Sequence, residues 1–301
     1  MSIDPGGCAQ KIADIHGAAG VAWLDRLPSI IAGCSQRWSL TILPPFADLS
    51  YNYVAPAICQ DGARLVVKAG VPHPELSREI AALACFDGRG AVRLLDADPE
   101  EGILLLEWLE PGTPLSDLDD DKEATGIAAR LMRSLWKPAP AEHRFATLAG
   151  WAAGLGRLRA RFQGGCGPFP VALVDKAERL LEQLIGSATE QMLIHGDLHH
   201  GNILRSEREP WLALDPKGVV GEPAWDAVYF SRSLLPKAGD PKRVLVRRLD
   251  QLAAELGLDR SRLVAWGLAL SVLSGWWNLE DHGRGYEPDI ACAEMFDELQ
   301  R

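Results

Sequence analysis

The 301 residues contain no Cys-x-x-Cys pair, no internal repeat, no low-complexity tract and no long unbroken apolar run. Each absence removes a class of protein. The six cysteines (Cys8, Cys34, Cys59, Cys85, Cys166 and Cys292) are widely and irregularly spaced. They are too sparse for a disulfide scaffold and carry no zinc signature, so reduced thiols in a cytoplasm are expected. The longest apolar stretch, residues 263–277, is interrupted by Ser271, Ser274 and Gly275. It falls short of the roughly 20 residues that a membrane-spanning helix needs. The first residues lack the basic region, apolar stretch and cleavage site of a secretory signal. Positive charge is also in short supply: 31 Lys and Arg against 41 Asp and Glu give a formal charge of −10. That balance argues against a nucleic-acid partner and inclines slightly towards a cationic ligand. Neither Gly-x-x-x-x-Gly-Lys-[Ser/Thr] nor Gly-x-Gly-x-x-Gly occurs, which excludes a P-loop enzyme. What remains is an ordinary globular composition, 47% hydrophobic and 24% charged, long enough for one large domain or two lobes. The expectation is a cytoplasmic protein with neither membrane nor nucleic acid as partner.

The most informative segment is His195-Gly196-Asp197-Leu198-His199-His200-Gly201-Asn202, followed by a short apolar run and Asp215. An Asp and an Asn five positions apart on a loop, with a second Asp after the next strand, are what phosphoryl transfer requires. One carboxylate faces the attacking hydroxyl, while an amide and another carboxylate hold magnesium on the nucleotide phosphates. Residues 191–194 form an apolar approach to the loop. Residues 203–204 and 211–214 are strand candidates separated by the polar turn 206–210. Such a hairpin brings Asn202 and Asp215 to the same end, and Pro216 biases Asp215 towards extended backbone. His195 and His199 are spaced like a helical zinc pair, but Gly196 stands where a zinc protease has Glu, and the glycines at 196 and 201 oppose a helix.

Along the chain, residues 8–33 carry an imperfect helical apolar face that ends near Pro28. The β-rich runs 38–43, 51–58 and 64–68 follow, with Asp61-Gly62 as a hairpin signal. Residues 75–86 predict a helix closed by Asp87-Gly88, and 91–95 and 103–109 predict two further strands. Beyond Pro111-Gly112, residues 118–135, 143–162, 171–185, 241–256, 260–277 and 288–299 all have helical apolar spacing. The reading is an α+β chain of two lobes. Residues 1–109 form a small antiparallel β-sheet lobe that binds nucleotide and has a leading helical segment. Residues 110–301 form a larger, mainly helical lobe for catalysis and acceptor binding, with the ligand expected between the two.

Supporting residues fit this scheme. Lys68 ends an apolar strand and could reach phosphates, with Glu79 on the next helix as its ion-pair partner and Glu75 as the competitor. A strand-end lysine snorkelling to water and a solvated helix face are the bland alternatives. The segment 104–109, including Glu107 and Leu109, suits an interlobe hinge whose backbone meets the adenine edge. Residues 47–53 are placed to cover the phosphates through backbone amides plus Ser50 or Asn52. Asp226 is expected to be structural, accepting backbone N–H bonds from the loop, and Lys217 has no assigned role. Trp276, Trp277, Glu280 and Asp281 combine aromatic surface with carboxylates, which suits a cationic acceptor, although tryptophan stripes usually serve the core.

Together these residues resemble the aminoglycoside phosphotransferases, and within them the streptomycin 6-kinase and hydroxyurea-kinase group. The resemblance rests on Ser50-Tyr51-Asn52-Tyr53-Val54, Val66-Val67-Lys68, residues 86–95, Leu105-Leu106-Glu107, residues 195–204 and Leu214-Asp215-Pro216-Lys217-Gly218. It implies a protein-kinase-like fold and transfer of phosphate from ATP, with Mg2+, to a hydroxyl of a small molecule. Asp197 is then the catalytic aspartate, Asn202 and Asp215 the magnesium ligands, Lys68 the phosphate-binding lysine and Glu79 its partner. Asp215-Pro216-Lys217 replaces the Asp-Phe-Gly of protein kinases and no Ala-Pro-Glu follows, so protein substrates are not expected. A housekeeping amino-sugar kinase and a catalytically silent kinase-like binding module are the alternatives.

Overall fold

Helix ends in this chain are written in short polar signals. Asp120, Asp240 and Asp259 each accept backbone N–H bonds as N-caps, and Pro74 and Pro241 occupy first-turn positions where no N–H is needed. Asp87, Gly257 and Gly283 close helices in the left-handed conformation. The computed structural model describes residues 8–47 and 49–300, and the chain divides into two compact units, Met1–Pro111 and Gly112–Arg301.

The first unit opens with α1 (Cys8–Arg37) and then alternates β1 (Thr41–Ile42), β2 (Tyr53–Ile58), β3 (Arg64–Ala69), α2 (Pro74–Phe86), β4 (Leu94–Asp98) and β5 (Ile103–Glu107). The strands form one antiparallel sheet in the order β1-β2-β3-β5-β4. Tyr53, Ala55 and Ala57 of β2 alternate inwards and share a core with Leu65, Val67 and Leu105. Ile12, Trp23, Leu27, Ile30 and Cys34 of α1 join that core.

The second unit contains β6 (Pro111–Pro114), α3 (Asp121–Leu135), β7 (Lys137–Pro138), β8 (Ala146–Thr147), α4 (Leu148–Ala152), α5 (Gly154–Arg161), α6 (Val171–Gly186), β9 (Met192–Ile194), β10 (Ile203–Ser206), β11 (Trp211–Ala213), β12 (Val219–Gly221), α7 (Ala224–Arg232), α8 (Pro241–Leu256), α9 (Arg260–His282) and α10 (Glu287–Leu299). Two small sheets, β11-β10-β6 and β7-β9-β12-β8, carry the central loops. α9 is buried nearly all round, as befits the core helix of a bundle. Among the described residues, no helix is long and apolar enough to cross a membrane.

Five points of the sequence reading change. Helix α1 runs through Pro28 to Arg37, because the buried Leu27, Ile30 and Cys34 continue its inner face. Its break falls instead at Gly17, where φ is +57°. That extension consumes the start of the expected strand 38–43, leaving only Thr41–Ile42. The expected helix 143–162 is a short strand followed by two helices, the first capped by the Thr147 hydroxyl accepting the Gly150 N–H. Helix α7 had no counterpart in the sequence reading. Asp215, finally, is not extended: its φ is +59°. Proline at 216 disfavours the right-handed helical region, and the left-handed alternative lets the chain turn sharply. The Leu214 N–H meets the Asn202 carbonyl at 3.0 Å, and the Lys217 N–H meets the His195 carbonyl at 2.8 Å.

Candidate active site

In the first unit, Lys68 lies near the end of β3 and is buried, as is Glu79 one turn into α2. Their charges meet at 2.7 Å, Nζ to Oε1, so Glu79 rather than Glu75 takes the pairing role. Glu107 closes β5. Its N–H donates to the Arg93 carbonyl at 3.0 Å, and its Oε2 accepts the Arg93 N–H at 3.1 Å. The carboxylate is thereby bound to local backbone. Leu109, two residues on, is half-buried. Between them Trp108 stacks with Phe46 at 6.3 Å, under the Arg64 guanidinium. Of the expected phosphate-covering segment 47–53, Asp48 lies outside the described residues and Ser50 is exposed. The Asn52 side chain packs against Gly70, where a Cβ would come within 2.2 Å of its Oδ1.

In the second unit, β9 delivers the chain into the 195–202 loop, and one buried carboxylate holds that loop. Asp226 accepts the His195 N–H at 2.9 Å, the Gly196 N–H at 2.8 Å and the Trp136 indole N–H at 3.0 Å. Full burial pushes the Asp226 carboxyl up, and these donors work against that rise. This is the structural role expected of Asp226. Gly196 sits at φ +86°, and a Cβ there would meet Val219 at 2.8 Å and Trp151 at 3.0 Å, so both conformation and space demand glycine.

His195 is fully buried and held neutral by that burial. Its Nε2 lies 2.9 Å from the Leu214 carbonyl, and its Nδ1 accepts the Asp197 N–H at 3.2 Å. Both ring nitrogens are thus committed within the loop, which removes the zinc reading.

Asn202 closes a short 3-10 turn, His200–Asn202. Its Nδ2 donates to the Asp197 carbonyl at 3.0 Å, so Oδ1 is the atom it could offer a cation. The β10–β11 hairpin pairs Ile203 with Ala213, and the Leu214 N–H bond to Asn202 ties the two loop ends together. Asp215 follows directly. The loop therefore carries Asp197, Asn202 and Asp215 on one hydrogen-bonded frame.

The four acceptor candidates do not share a site. Trp277 lines a cavity of about 390 Å³ together with His199, Tyr229, Arg232, Asn278 and Asp289, and its ring contacts Trp151 at 5.5 Å. Trp276 is buried against Phe162 and lines a separate groove with Arg157 and Glu280. Glu280 is bound by both arms of Arg157, at 2.8 and 2.7 Å, and Asp281 is exposed. Adjacent helical positions diverge by about 100°, so the two tryptophans face different surroundings.

Of the residues lining the first cavity, sequence reasoning singled out Trp277 and missed Tyr229, Arg232, Asn278 and Asp289. Tyr229 stands three positions after Asp226, and that helical spacing was the available signal. Within this cavity Asp289 is neutralised by Arg232 and accepts from Asn278 at 2.7 Å.

Residues 41–282 match the family described as aminoglycoside/hydroxyurea antibiotic resistance kinase. The chain is 35% identical over 292 residues to the streptomycin 6-kinase of Streptomyces glaucescens, spanning 93% of this chain and 92% of that one. It is also 35% identical over 292 residues to the hydroxyurea phosphotransferase of Kitasatospora aureofaciens, spanning 93% and 81% respectively. Among solved structures, aminoglycoside phosphotransferase APH(4)-Ia superimposes with a TM-score of 0.65 at 13% identity, covering 91% of this chain and 98% of that one. The Streptomyces rimosus aminoglycoside phosphotransferase APH(3'')-Id, solved with ADP and streptomycin, superimposes with a TM-score of 0.56 at 19% identity, covering 83% and 98%. The two-unit α+β architecture is thus the kinase-like fold of those enzymes, and the chain belongs to the aminoglycoside/hydroxyurea antibiotic resistance kinase family.

Proposed function

We propose that this kinase moves the γ-phosphoryl group of ATP to a hydroxyl of a small polar acceptor of the streptomycin or hydroxyurea kind, in the cytoplasm. The observation that carries the reading is the single frame holding Asp197, Asn202 and Asp215. Asp197 orients the acceptor hydroxyl and takes its proton as the new oxygen–phosphorus bond forms. The bond from Pγ to the bridging oxygen breaks, and ADP leaves.

The Asn202 amide oxygen and the Asp215 carboxylate are hard oxygen donors of the kind Mg2+ takes, so the residues present fit that ion. Bound there, it would supply charge compensation for the phosphates. Lys68, oriented by Glu79, is the phosphate-binding cation. Backbone in the 104–109 segment, beside Glu107 and Leu109, serves the base, while Ser50 and Asn52 belong to the loop assigned to the phosphates.

The acceptor sits in the cavity beside Trp277 and Tyr229. Trp276, Glu280 and Asp281 take no direct part there. Because Arg232 neutralises Asp289, hydrogen bonding and the indole face do more of the holding in this cavity than net negative charge.

The test is ADP release with Mg2+ and ATP against streptomycin, other aminoglycosides, hydroxyurea and glucosamine. Asp197→Ala is expected to lose about 10²- to 10⁴-fold in turnover, the usual contribution of a positioned base, while retaining nucleotide binding. Undiminished turnover in that variant refutes the assignment.

A further inference from the structure

Arg248 of α8 is a buried arginine whose contacts all lie within the second unit. Its Nε lies 3.1 and 3.2 Å from the two oxygens of Asp121, and its Nη2 donates to Oδ1 of that residue at 2.6 Å. Its Nη1 donates to the Ser231 carbonyl at 3.1 Å and to the Ser233 carbonyl, at the end of α7, where helix carbonyls lack partners of their own. The second N–H of Nη2 faces His200 Nε2, 3.5 Å away. A guanidinium carries five N–H groups in a fixed fork, and here each has an acceptor. One side chain thereby joins the first turn of α3, the last turn of α7 and the catalytic loop. A buried ion pair adds little net stability over well-packed apolar side chains, so stability alone does not account for an arginine at this place.

His200 opens the 3-10 turn whose last residue is Asn202. Its side chain is 3% exposed and is gripped from outside the loop by three residues. Phe230 stacks on it with ring centroids 4.1 Å apart, Ser233 Oγ lies 3.0 Å from Nδ1, and Arg248 faces Nε2. Arginine only donates, so Nε2 accepts and Nδ1 carries the proton that Ser233 Oγ receives. Burial, then the Arg248 charge, press the ring down to about 3, which keeps it neutral.

The remaining bonds of the turn are internal to the loop. The Asn202 N–H meets the His199 carbonyl at 3.0 Å, the Gly201 N–H meets His199 Nδ1 at 3.1 Å, and Asn202 Nδ2 meets the Asp197 carbonyl. Those bonds set the shape of the turn, whereas the His200 contacts set where it lies against α7 and α8. Without them a turn of unchanged shape is free to shift, and Asn202 shifts with it.

We infer that Arg248 is a positioning residue, which through His200 holds the turn carrying Asn202 and so sets the affinity of the site for the nucleotide's divalent cation. The inference rests on the reading of Asn202 as a magnesium ligand.

The experiment measures binding of Mn2+, a paramagnetic stand-in for Mg2+, in the presence of ADP by electron paramagnetic resonance. Wild type, Arg248→Lys, His200→Phe, the double variant and Asn202→Ala are compared, with thermal melting and steady-state ADP release from ATP and streptomycin alongside. Arg248→Lys keeps the charge but offers three donors without the fork. His200→Phe keeps a ring against Phe230 and removes both nitrogens. Each is expected to weaken Mn2+ binding about tenfold, the low end of what the partners of metal ligands contribute. Acceptor KM should stay within about twofold, because the cavity contacts are untouched. Since both residues act through one turn, the double variant is expected to lose no more than the worse single variant. Should Arg248→Lys not fold, His200→Phe, which leaves the Asp121 pair intact, carries the test.

Unchanged Mn2+ binding in His200→Phe, or in a folded Arg248→Lys, overturns the inference whatever the melting temperatures show. Losses that add in the double variant overturn the route through His200. Wild-type Mn2+ affinity in Asn202→Ala refutes the metal assignment beneath the inference. A loss in Asn202→Ala with none in the other variants refutes the inference alone, so the two failures are distinguishable.

Discussion

The two units hold their key residues by different means. In the first, Lys68 is held by the Glu79 side chain through a buried ion pair at 2.7 Å. In the second, the Asp226 carboxylate organises a whole loop by accepting backbone N–H groups, and an indole from α3's end adds a third bond. A side-chain pair fixes one charge and depends on both partners. A carboxylate bound to main chain fixes the path of the chain, leaving loop side chains such as Asp197 and Asn202 available for chemistry. The difference teaches where each unit is vulnerable: the first in charge balance, the second in backbone geometry.

The largest effect that would sharpen this contrast is expected from Asp226→Ala. It strands buried donors at His195, Gly196 and Trp136, each costing about 1–3 kcal/mol when left unsatisfied. Destabilisation of about 4–6 kcal/mol in chemical denaturation, with turnover lost, is the expected result. A variant that melts like the wild type would show that the loop holds itself. Next in size is Glu79→Ala, which removes the carboxylate paired with the buried Lys68 ammonium and is expected to cost about 3 kcal/mol, as breaking a buried pair typically does. The double variant Lys68→Met/Glu79→Leu is expected to regain most of that stability, because well-packed apolar residues commonly replace a buried pair at little cost. It should nevertheless remain inactive. Recovery of stability without activity would assign the pair to function. A double variant as unstable as the single would mean that the pair also supports the fold.

The same contrast explains how much could be read in the sequence. Asp197, Asn202 and Asp215 were legible as candidates because the chemistry proposed for them fixes residue type and spacing within one contiguous stretch. Lys68 and Glu79 were legible as a pair of candidates, but whether Glu75 or Glu79 made the contact depended on how α2 lies against β3. Helix α7 escaped because its nine residues follow Pro223 and mix aromatics with small residues, giving no apolar period to detect. With it went Tyr229, whose place in the cavity lining depends on which way its face of the helix turns. Asp215 was misjudged because the local effect of Pro216 permits two backbone regions, and hydrogen bonds from distant segments choose between them. In α9, burial on nearly every side erases the periodicity that would have told Trp276 from Trp277.

That last ambiguity sets the smallest and most discriminating prediction. Glu280 sits in the segment expected to attract a cationic acceptor, yet both of its oxygens are taken by Arg157 on an exposed surface. Glu280→Ala is therefore expected to change stability by less than about 1 kcal/mol, the usual worth of an exposed pair. Acceptor KM should stay within about twofold, since the carboxylate lies in the groove with Trp276 rather than in the cavity with Trp277 and Tyr229. Steady-state kinetics with streptomycin, the more cationic of the two candidate acceptors, decides the matter. A KM raised tenfold or more, about 1.4 kcal/mol of lost binding, would move the acceptor into the Trp276 groove. It would also mean that Arg157 yields its partner when the acceptor arrives.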